Sequence, residues 1–359
     1  MASHSTALLS LCECLRGAIP QRPDWLCLIG LANETLTTPA LIDFVDRFDQ
    51  SLPEDVRSYV RDIYQRNQIR NDRLTAQIAE AVAALNECGV TPTLLKGAAT
   101  LATAPRRRRG TKIMADLDLM VEPDQVRTAI EALSDIGYAI DSQTPVDSEE
   151  WRTDLKRSQD VGMIDLHRSL PGPAYFYSSS GHVLDHCQLT SIGPGSAYVP
   201  TPTYQALLLT IHDQFQDYDY WVGGIDLRHL VDLRSLTDSR DGIHWDLLAS
   251  LAPSRLARNA LESQLVALAE LLGVDVPLSM CSRFIPRLQF KRRLVQARFP
   301  IARWPLLAAT VLDYRNYRRG VGAEYRRASR SGNATWTLPR PETLWHILEM
   351  TANHRIGKI

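Results

Sequence analysis

Two aspartates lie two residues apart in the apolar run 112–121. The alternation predicts a β-strand, in which Asp116 and Asp118 share one face while Leu117 and Leu119 share the other. Neighbouring carboxylates on one rigid face repel each other and are costly to bury unless a cation lies between them. Hard divalent cations such as Mg²⁺ prefer carboxylate oxygens. The pair therefore predicts a metal site, and a solvated edge strand is the alternative.

The segments around this strand predict a mixed α and β core. Residues 91–99 form a short apolar run that contains Lys96 and Gly97, followed by small residues. Residues 123–138 carry an apolar stripe at helical spacing, with proline near the start and glycine near the end. Residues 161–167 predict a second strand, on which Asp165 and His167 share a face. A third carboxylate, Asp165, thus follows the Asp-x-Asp strand on a later predicted strand.

Leu95-Lys96-Gly97, the strand 116–121 and Asp165-Leu166-His167 occur in this order in the chain. Together they resemble the nucleotidyltransferase superfamily typified by DNA polymerase beta, and more narrowly its bacterial nucleotidyltransferase family proteins. The resemblance implies an α+β fold, with a small mixed-sheet nucleotidyltransferase core flanked by N-terminal and C-terminal helical regions. Its specific part spans only residues 95–167, and it extends less sharply into the flanking helices.

The resemblance implies that Asp116, Asp118 and Asp165 are both the catalytic residues and the metal ligands. Transfer of a phosphoryl or nucleotidyl group depends mainly on positioning and charge neutralisation. Two Mg²⁺ ions about 4 Å apart supply this in two-metal sites, and Mn²⁺ could substitute for Mg²⁺. We expect Asp165 to serve the ion on the acceptor side.

The resemblance also implies that Lys96, Gly97, Arg109 and Lys112 bind the nucleotide and that His167 faces the acceptor. Backbone amides at a helix start favour phosphate. Where the superfamily usually has Gly-Ser, this chain has Lys96-Gly97. Where the superfamily often has an arginine, this chain has Lys112, whose ammonium group is a point charge rather than a bidentate donor. Structural alternatives stay open: lysines that reach solvent at strand ends, a solvated basic loop around Arg109, and a hydrogen-bonded His167.

Five polar residues in the later helical segment are weaker candidates for lining the same cleft. They are His212, Asp213, Asp226, Arg228 and Asp232. Pairs within one helix, such as Arg228 with Asp232 at i,i+4 spacing, explain them equally well.

The resemblance implies transfer of a nucleoside monophosphate from an NTP such as ATP to a hydroxyl or phosphate acceptor. The acceptor would be a small molecule, a peptide or a protein, as in biosynthetic tailoring. One alternative is a catalytically inactive nucleotide-binding regulatory module, and another is a nucleic-acid end-modifying polymerase. Nucleic acid is not the expected partner, because the acidic body of the chain would repel a polyanion.

Length and composition are compatible with a folded cytoplasmic enzyme. The 359 residues include 45% hydrophobic residues, enough for about two or three domains. No apolar run approaches the length that spans a bilayer, and no secretory signal is evident, so we expect no membrane partner. The six cysteines, at positions 12, 14, 27, 88, 187 and 281, form no disulfide or metal framework, so we expect reduced thiols.

Charged residues are distributed unevenly along the chain. Residues 283–359 contain 16 Lys and Arg against 4 acidic residues, although the whole chain has a net charge of −1. Basic and aromatic residues interleave there, which would suit a nucleic acid; a basic region docked on the acidic body is the favoured alternative. We expect an N-terminal helical region at 1–90, the core at 91–200, a helical domain at 201–282 and this basic region at 283–359.

Overall fold

The computed structural model describes residues 4–145, 151–172, 174–177, 181–252, 254–307 and 358. Within these ranges the chain has the predicted α+β architecture, with a mixed sheet flanked by helices on both sides in sequence. The region boundaries at 90, 200 and 282 stay predictions. The arginines at 318, 319, 326 and 327 and the tyrosines at 314, 317 and 325 lie outside the described residues.

Helices dominate both ends of the described chain. Those before the sheet are α1 His4–Arg16, α2 Trp25–Glu34, α3 Ile42–Arg47 and α4 Glu54–Glu87. Those between strands are α5 Lys96–Thr103, α6 Arg106–Arg109 and α7 Val126–Asp135. Those after the sheet are α8 Pro202–Ile211, α9 Asp219–Val222, α10 Leu227–Thr237, α11 Trp245–Ser250, α12 Arg255–Leu272, α13 Leu278–Cys281, α14 Phe284–Arg298 and α15 Arg303–Leu307.

Seven strands form one sheet in the order β3-β4-β5-β2-β1-β7-β6. They are β1 Thr93–Leu94, β2 Asp116–Met120, β3 Ala139–Gln143, β4 Arg152–Lys156, β5 Met163–His167, β6 Cys187–Ile192 and β7 Gly195–Pro200. Strand β2 lies in the middle of the sheet, parallel to β5 on one side and antiparallel to β1 on the other. Both strands predicted to carry the aspartates are therefore confirmed, and they are neighbours.

The apolar face of β2 and β5 is buried against helices. Leu117, Leu119, Ile164 and Leu166 are fully buried in one cluster that includes residues of α4 and α7. Full burial of each such side chain stabilises the fold by about 1.5–3 kcal/mol. Because strand side chains alternate, this packing turns the polar residues of both strands to the opposite face.

Helix α4 packs against the apolar face of the two aspartate strands. Acidic residues Glu54 and Asp55 lie in its first turn, where they complement the helix dipole. The buried face combines apolar residues such as Leu74 and Ile78 with three polar residues, Asn67, Asn71 and Gln77. Helix α4 lies within the expected N-terminal helical region, and the predicted helix after β2 is confirmed as a short 3₁₀ turn followed by α7.

The hairpin at one edge of the sheet was not predicted. Gly193 and Pro194 are the turn that joins β6 and β7 into this hairpin. Strands β3 and β4 at the other edge were also not predicted. All five residues of β3 are exposed, so they show no alternation of apolar and polar residues.

The described part of the basic region docks on the acidic body. Arg292 and Arg293 on α14 are buried. All six cysteines lie in the described ranges and are free. Among the described residues, no helix combines the length and apolarity needed to cross a membrane.

Candidate active site

The centre of the site is the pair of parallel strands β2 and β5. Their register places Asp118 directly opposite Asp165, and both side chains are buried. His167 follows two residues after Asp165 and therefore lies on the same face. One side-chain atom from each of Asp118, Asp165 and His167 falls within a 4.8 Å cluster, which could hold a metal ion.

Lys96 neutralises Asp118. Its Nζ lies 2.8 Å from Asp118 Oδ1 at the point where β1 turns into α5. The Lys96 backbone has a φ of +43°, a left-handed conformation that is costly for a side chain other than glycine. Burial would raise the pKa of Asp118, but Lys96 and His167 together hold it well below its usual range. The carboxylate is therefore ionised at neutral pH.

His167 bridges the two buried carboxylates. Its Nε2 lies 3.2 Å from Asp118 Oδ1 and 3.3 Å from Asp165 Oδ2. Burial opposes the charged imidazole, but the hydrogen bonds to both carboxylates outweigh it and raise the pKa of His167 to about 9. The same contact lowers the pKa of Asp165 against the opposing effect of burial. His167 is therefore a cation in this arrangement.

Asp116 has the least compensated charge of the three predicted carboxylates. It shares the face of Asp118, but its oxygens lie outside the 4.8 Å cluster. Burial and then repulsion by Asp118 raise the pKa of Asp116, and the attraction of Lys96 offsets this only partly. A cation placed beside Asp116 would remove this penalty.

A divalent cation fits the unsatisfied groups on this face. Asp165 Oδ1 is buried and has no hydrogen-bond partner among the described residues. An orphaned carboxylate oxygen is unfavourable in a folded protein unless a metal or an ordered molecule binds it. Asp116, Asp118 and Asp165 together offer the oxygen ligands that Mg²⁺ prefers.

Helix α4 fixes the start of both aspartate strands. Arg70 donates to the carbonyl of Met114, just before β2, and to the carbonyl of Val161 at 2.9 Å, just before β5. Gln77 donates to the carbonyl of Gly162 at 2.8 Å. Sequence reasoning missed these residues, because polar residues on a long helix normally indicate its solvent face.

Asn67 and Asn71 extend this set of contacts toward the basic turn. Both donate to the carbonyl of Lys112, at 2.9 and 2.8 Å respectively, and so satisfy the backbone that leads into β2. Arg109 donates to Thr75 Oγ1 on α4 at 3.1 Å. Of the residues predicted to bind nucleotide, Arg109 is thus held against α4 rather than grouped with Asp118.

Lys112 also has a protein partner. Its ammonium group pairs with Asp232 on α10, and both side chains are largely buried. The intrahelical pair Arg228–Asp232 considered above is therefore not the main contact of Asp232. Arg228 instead lies 3.6 Å from Asp226. The Lys112–Asp232 pair connects the segment before β2 to the later helical part of the chain.

Gly97 allows a close approach between α5 and the segment before β2. A Cβ at this position would lie 3.0 Å from Met114 Sδ and 3.5 Å from Lys112 Cε. Its helix α5 begins without a side-chain cap. The amides of its first turn thus lack the side-chain acceptor that commonly satisfies a helix start.

A second acidic cluster lies in the later helical part. Asp213, Asp219 and Asp226 are buried there, and Asp217 is partly exposed. Asp213 lies in a π-helical turn, His212–Gln216, that continues α8, whereas Asp226 caps the start of α10. Lys358 contacts all four carboxylates. Sequence reasoning named Asp213 and Asp226 but missed Asp217, Asp219, His229 and Lys358.

His212 lies between the two acidic groups. Its Nδ1 is 3.7 Å from Asp217, and its ring meets the ring of His229 edge to face, with 5.7 Å between centroids. Burial and then the nearby charge of Lys96 lower the pKa of His212 to about 3. His212 is therefore a neutral residue beside the second acidic cluster, close enough to Lys96 for its charge to affect the pKa.

Comparison with known proteins agrees with this geometry. No curated protein and no solved structure matches the chain. A profile of the family described as "Uncharacterised nucleotidyltransferase" matches residues 21–273, which include the whole sheet and the helices from α2 to α12. Because this match covers well over half of its length, the chain belongs to that nucleotidyltransferase family.

Proposed function

We propose that this nucleotidyltransferase transfers a nucleoside monophosphate from an NTP to a hydroxyl or phosphate group on a small molecule, a peptide or a protein. The observation that carries the proposal is the side-by-side placement of Asp118 and Asp165 on parallel strands, with Asp116 on the same face. We also infer that the core is a distant relative of the DNA polymerase beta superfamily. ATP is one candidate donor. Biosynthetic tailoring is one candidate role.

In this proposal Asp116, Asp118 and Asp165 hold two Mg²⁺ ions, or Mn²⁺ in their place. When bound, the ions would neutralise the triphosphate and activate the acceptor group. The unpaired Asp165 Oδ1 and the raised pKa of Asp116 support this assignment, because both indicate that a cation is needed at this face.

Lys96 is proposed to contact phosphate. It is the only cation in contact with Asp118 apart from His167 within the described ranges. A flexible lysine can move from a carboxylate to a phosphate without leaving the site. The uncapped start of α5, including the Gly97 amide, adds donors that favour an anion. His167 is proposed to lie on the acceptor side, where its Nε2 holds a proton between Asp118 and Asp165.

A cavity beside Lys96 offers space for one of the substrates. Its volume is about 410 Å³, and it lies between α5, the β6–β7 hairpin and α10. Its lining includes the hydroxyls of Thr100, Thr103 and Thr201, together with Leu208 and Leu209. Charged residues of both signs also line the cavity, among them Lys96, Arg108 and Asp232, so it offers apolar, hydroxyl and ionic contacts to a polar organic acceptor or a nucleotide.

Binding measurements with purified protein would test the proposal without knowledge of the acceptor. Each of the four ribonucleoside triphosphates is titrated by calorimetry, with and without Mg²⁺, into wild type and the Asp116→Asn/Asp118→Asn variant. The proposal expects metal-dependent binding of at least one NTP, lost in the variant. Asp124→Asn is the matched control, because Asp124 is exposed just after β2. Absence of binding by every NTP in folded wild type would refute the proposal.

A further inference from the structure

Lys358 occupies the second acidic cluster as a buried ammonium ion. Its Nζ lies 2.6 Å from Asp219, 2.9 Å from Asp213 and 3.1 Å from each of Asp217 and Asp226. Its side chain is only 10% exposed, and Asp213, Asp219 and Asp226 are 1% exposed or less. An ammonium group has three N–H donors, and here they point to Asp213, Asp217 and Asp219.

The backbone of Lys358 is also engaged. It forms an isolated antiparallel bridge with Asp226, whose side chain is the fourth carboxylate around the ammonium group. Main-chain pairing and side-chain insertion thus occur at the same residue. The contact is specific docking rather than a chance approach of a flexible cation to a negative surface.

The distances are those of a hydrogen-bonded ammonium group. Oxygens at 2.6–3.1 Å from nitrogen are at charge-assisted hydrogen-bond distances. His229 Nδ1 lies 3.1 Å from Asp213 and 3.5 Å from Asp226, and Arg228 lies 3.6 Å from Asp226. Arg293 is buried nearby and interacts electrostatically with Asp213 and Asp219, so Lys358 is one of several cations around these carboxylates and the one in contact with all four.

We propose that Asp213, Asp217, Asp219 and Asp226 form a binding site for a primary ammonium group, and that Lys358 of this chain is its ligand. Insertion of Lys358 docks this residue against the later helical region. The proposal does not depend on nucleotide transfer, and its test below uses no nucleotide.

The site also adjoins the candidate active site. Asp217 accepts a hydrogen bond from Lys358 and lies 3.7 Å from His212 Nδ1. The charge of Lys96, which contacts Asp118, also lowers the pKa of His212. Loss of the Lys358 ammonium would strengthen the attraction of Asp217 for a proton on His212 and so change the charge beside the candidate active site.

The experiment is chemical rescue of Lys358→Ala, read by thermal unfolding of the full chain. Removing the ammonium group from a buried charge cluster leaves its carboxylates with less positive charge around them, so the midpoint should fall by about 5 °C or more. Ethylammonium chloride should restore at least half of this loss with saturation, and should leave wild type unchanged. Tetramethylammonium chloride at the same concentration has no N–H donor and should not restore it.

Lys156→Ala is the matched control. Lys156 pairs with Asp141 at 2.6 Å on the exposed edge of the sheet, where solvent screens the charges. Its loss should hardly change the midpoint and should create no response to ethylammonium. Lys358→Ala unfolding at the wild-type temperature, or responding equally to both ammonium salts, would overturn the proposal. Rescue by Mg²⁺ or Ca²⁺ instead would reassign the pocket as a metal site.

A second variant covers the case in which Lys358→Ala does not fold. Lys358→Ala/Asp219→Asn removes one carboxylate together with the ammonium, so the remaining repulsion is smaller. The proposal expects the double variant to fold and to unfold at a higher temperature than the single variant wherever both can be measured. A double variant that is no more stable than Lys358→Ala would contradict the charge balance on which the site depends.

Discussion

Asp118 on β2 lies directly opposite Asp165 on β5, and the two strands run parallel. Parallel neighbours place equivalent side chains at nearly equal heights, so both carboxylates meet on one face without help from a loop. Lys96 and His167 neutralise this pair from either side. Asp116 shares the face but has no such partner among the described residues, so its charge should contribute less to stability than the charges of Asp118 and Asp165.

Asp116→Asn should remove activity while leaving the fold as stable as wild type or slightly more stable. The pKa of Asp116 is raised by burial and by Asp118, so its charge is unfavourable in the metal-free protein at neutral pH. Asparagine removes that charge with little change of shape. We expect nucleotidyl transfer to fall at least about 100-fold, as when an enzyme loses one electrostatic group at its reaction centre.

The measurement combines urea unfolding in EDTA with a turnover assay that releases pyrophosphate. Asp124→Asn should change neither quantity, because Asp124 is exposed. Full activity of Asp116→Asn would exclude Asp116 as a metal ligand. A large loss of stability would show that its charge is compensated in the folded protein.

Asp165→Ala should impair transfer more than it weakens nucleotide binding. In the proposed function Asp165 serves the ion on the acceptor side, whereas Lys96 and Gly97 contact the nucleotide phosphates. We expect calorimetric affinity for the preferred NTP to change by less than about tenfold while turnover falls by about 100-fold or more. Equal loss of both would assign Asp165 to the nucleotide instead.

Arg70→Ala should lower both stability and activity, although Arg70 is not proposed to touch substrate. Its guanidinium group satisfies the carbonyls of Met114 and Val161, which precede β2 and β5. Hydrogen bonds from a charged donor each contribute about 1.5–3 kcal/mol, so we expect a loss of about 3 kcal/mol in the free energy of unfolding. A relative shift of the two strands would also separate the carboxylates of Asp118 and Asp165.

Arg66→Ala is the control for this prediction. Arg66 lies one turn earlier on α4 and pairs with Asp62 on the exposed surface. Its loss should change the free energy of unfolding by less than about 0.5 kcal/mol. Arg70→Lys, which keeps the charge but not the fork, should recover only part of the lost activity. An Arg70→Ala variant with unchanged turnover would rule out the positioning role.

Local patterns made the central strands and their polar face predictable. The alternation in β2 and β5 is a property of a few adjacent residues, and it is sufficient to place Asp116 with Asp118 and Asp165 with His167. Strand β3 was missed because all five of its residues are exposed. The hairpin of β6 and β7 was missed because its turn resembles the end of a domain.

Contacts between distant parts of the chain could not be predicted in the same way. Lys96 was expected to face phosphate, and only the pairing of β1 with β2 reveals its contact with Asp118. Lys112 has an acidic partner more than a hundred residues away. Lys358 is farther still from Asp219, and acidic residues in a helical segment normally indicate a solvated surface.

The Lys112–Asp232 pair should behave as one structural unit. Both side chains are largely buried, so removing either partner leaves an uncompensated charge. We expect Lys112→Met and Asp232→Asn each to lower the free energy of unfolding by about 3 kcal/mol. The double variant should lose less than the sum, with a coupling energy of at least about 1 kcal/mol in a double-mutant cycle.

Nucleotide titration of the same variants would separate this structural role from the phosphate contact predicted from the sequence. If Lys112 acts through Asp232, both single variants should weaken NTP binding to the same degree. A selective loss of affinity in Lys112→Met, with Asp232→Asn unchanged, would instead support direct contact between Lys112 and phosphate.

His212 should contribute to acid sensitivity. Burial, followed by the charge of Lys96, lowers its pKa from 6.5 to about 3, against the opposing influence of Asp217 and Asp118; His229 also lowers it. Between these two values the unfolded chain binds a proton at His212 that the folded protein excludes. The contribution is therefore complete above pH 6.5 and is lost as the pH falls toward 3. Its slope is about 1.4 kcal/mol per pH unit.

Urea unfolding of wild type and His212→Gln at pH 5, 6, 7 and 8 would measure this contribution. Carboxylates common to both proteins largely cancel in the difference, so the free energy of unfolding should fall less steeply below pH 6.5 in the variant. His182→Gln replaces an exposed histidine and should reproduce the wild-type slope. Parallel curves for wild type and His212→Gln would mean that His212 titrates normally, and therefore that it is not the buried neutral residue between the two acidic groups.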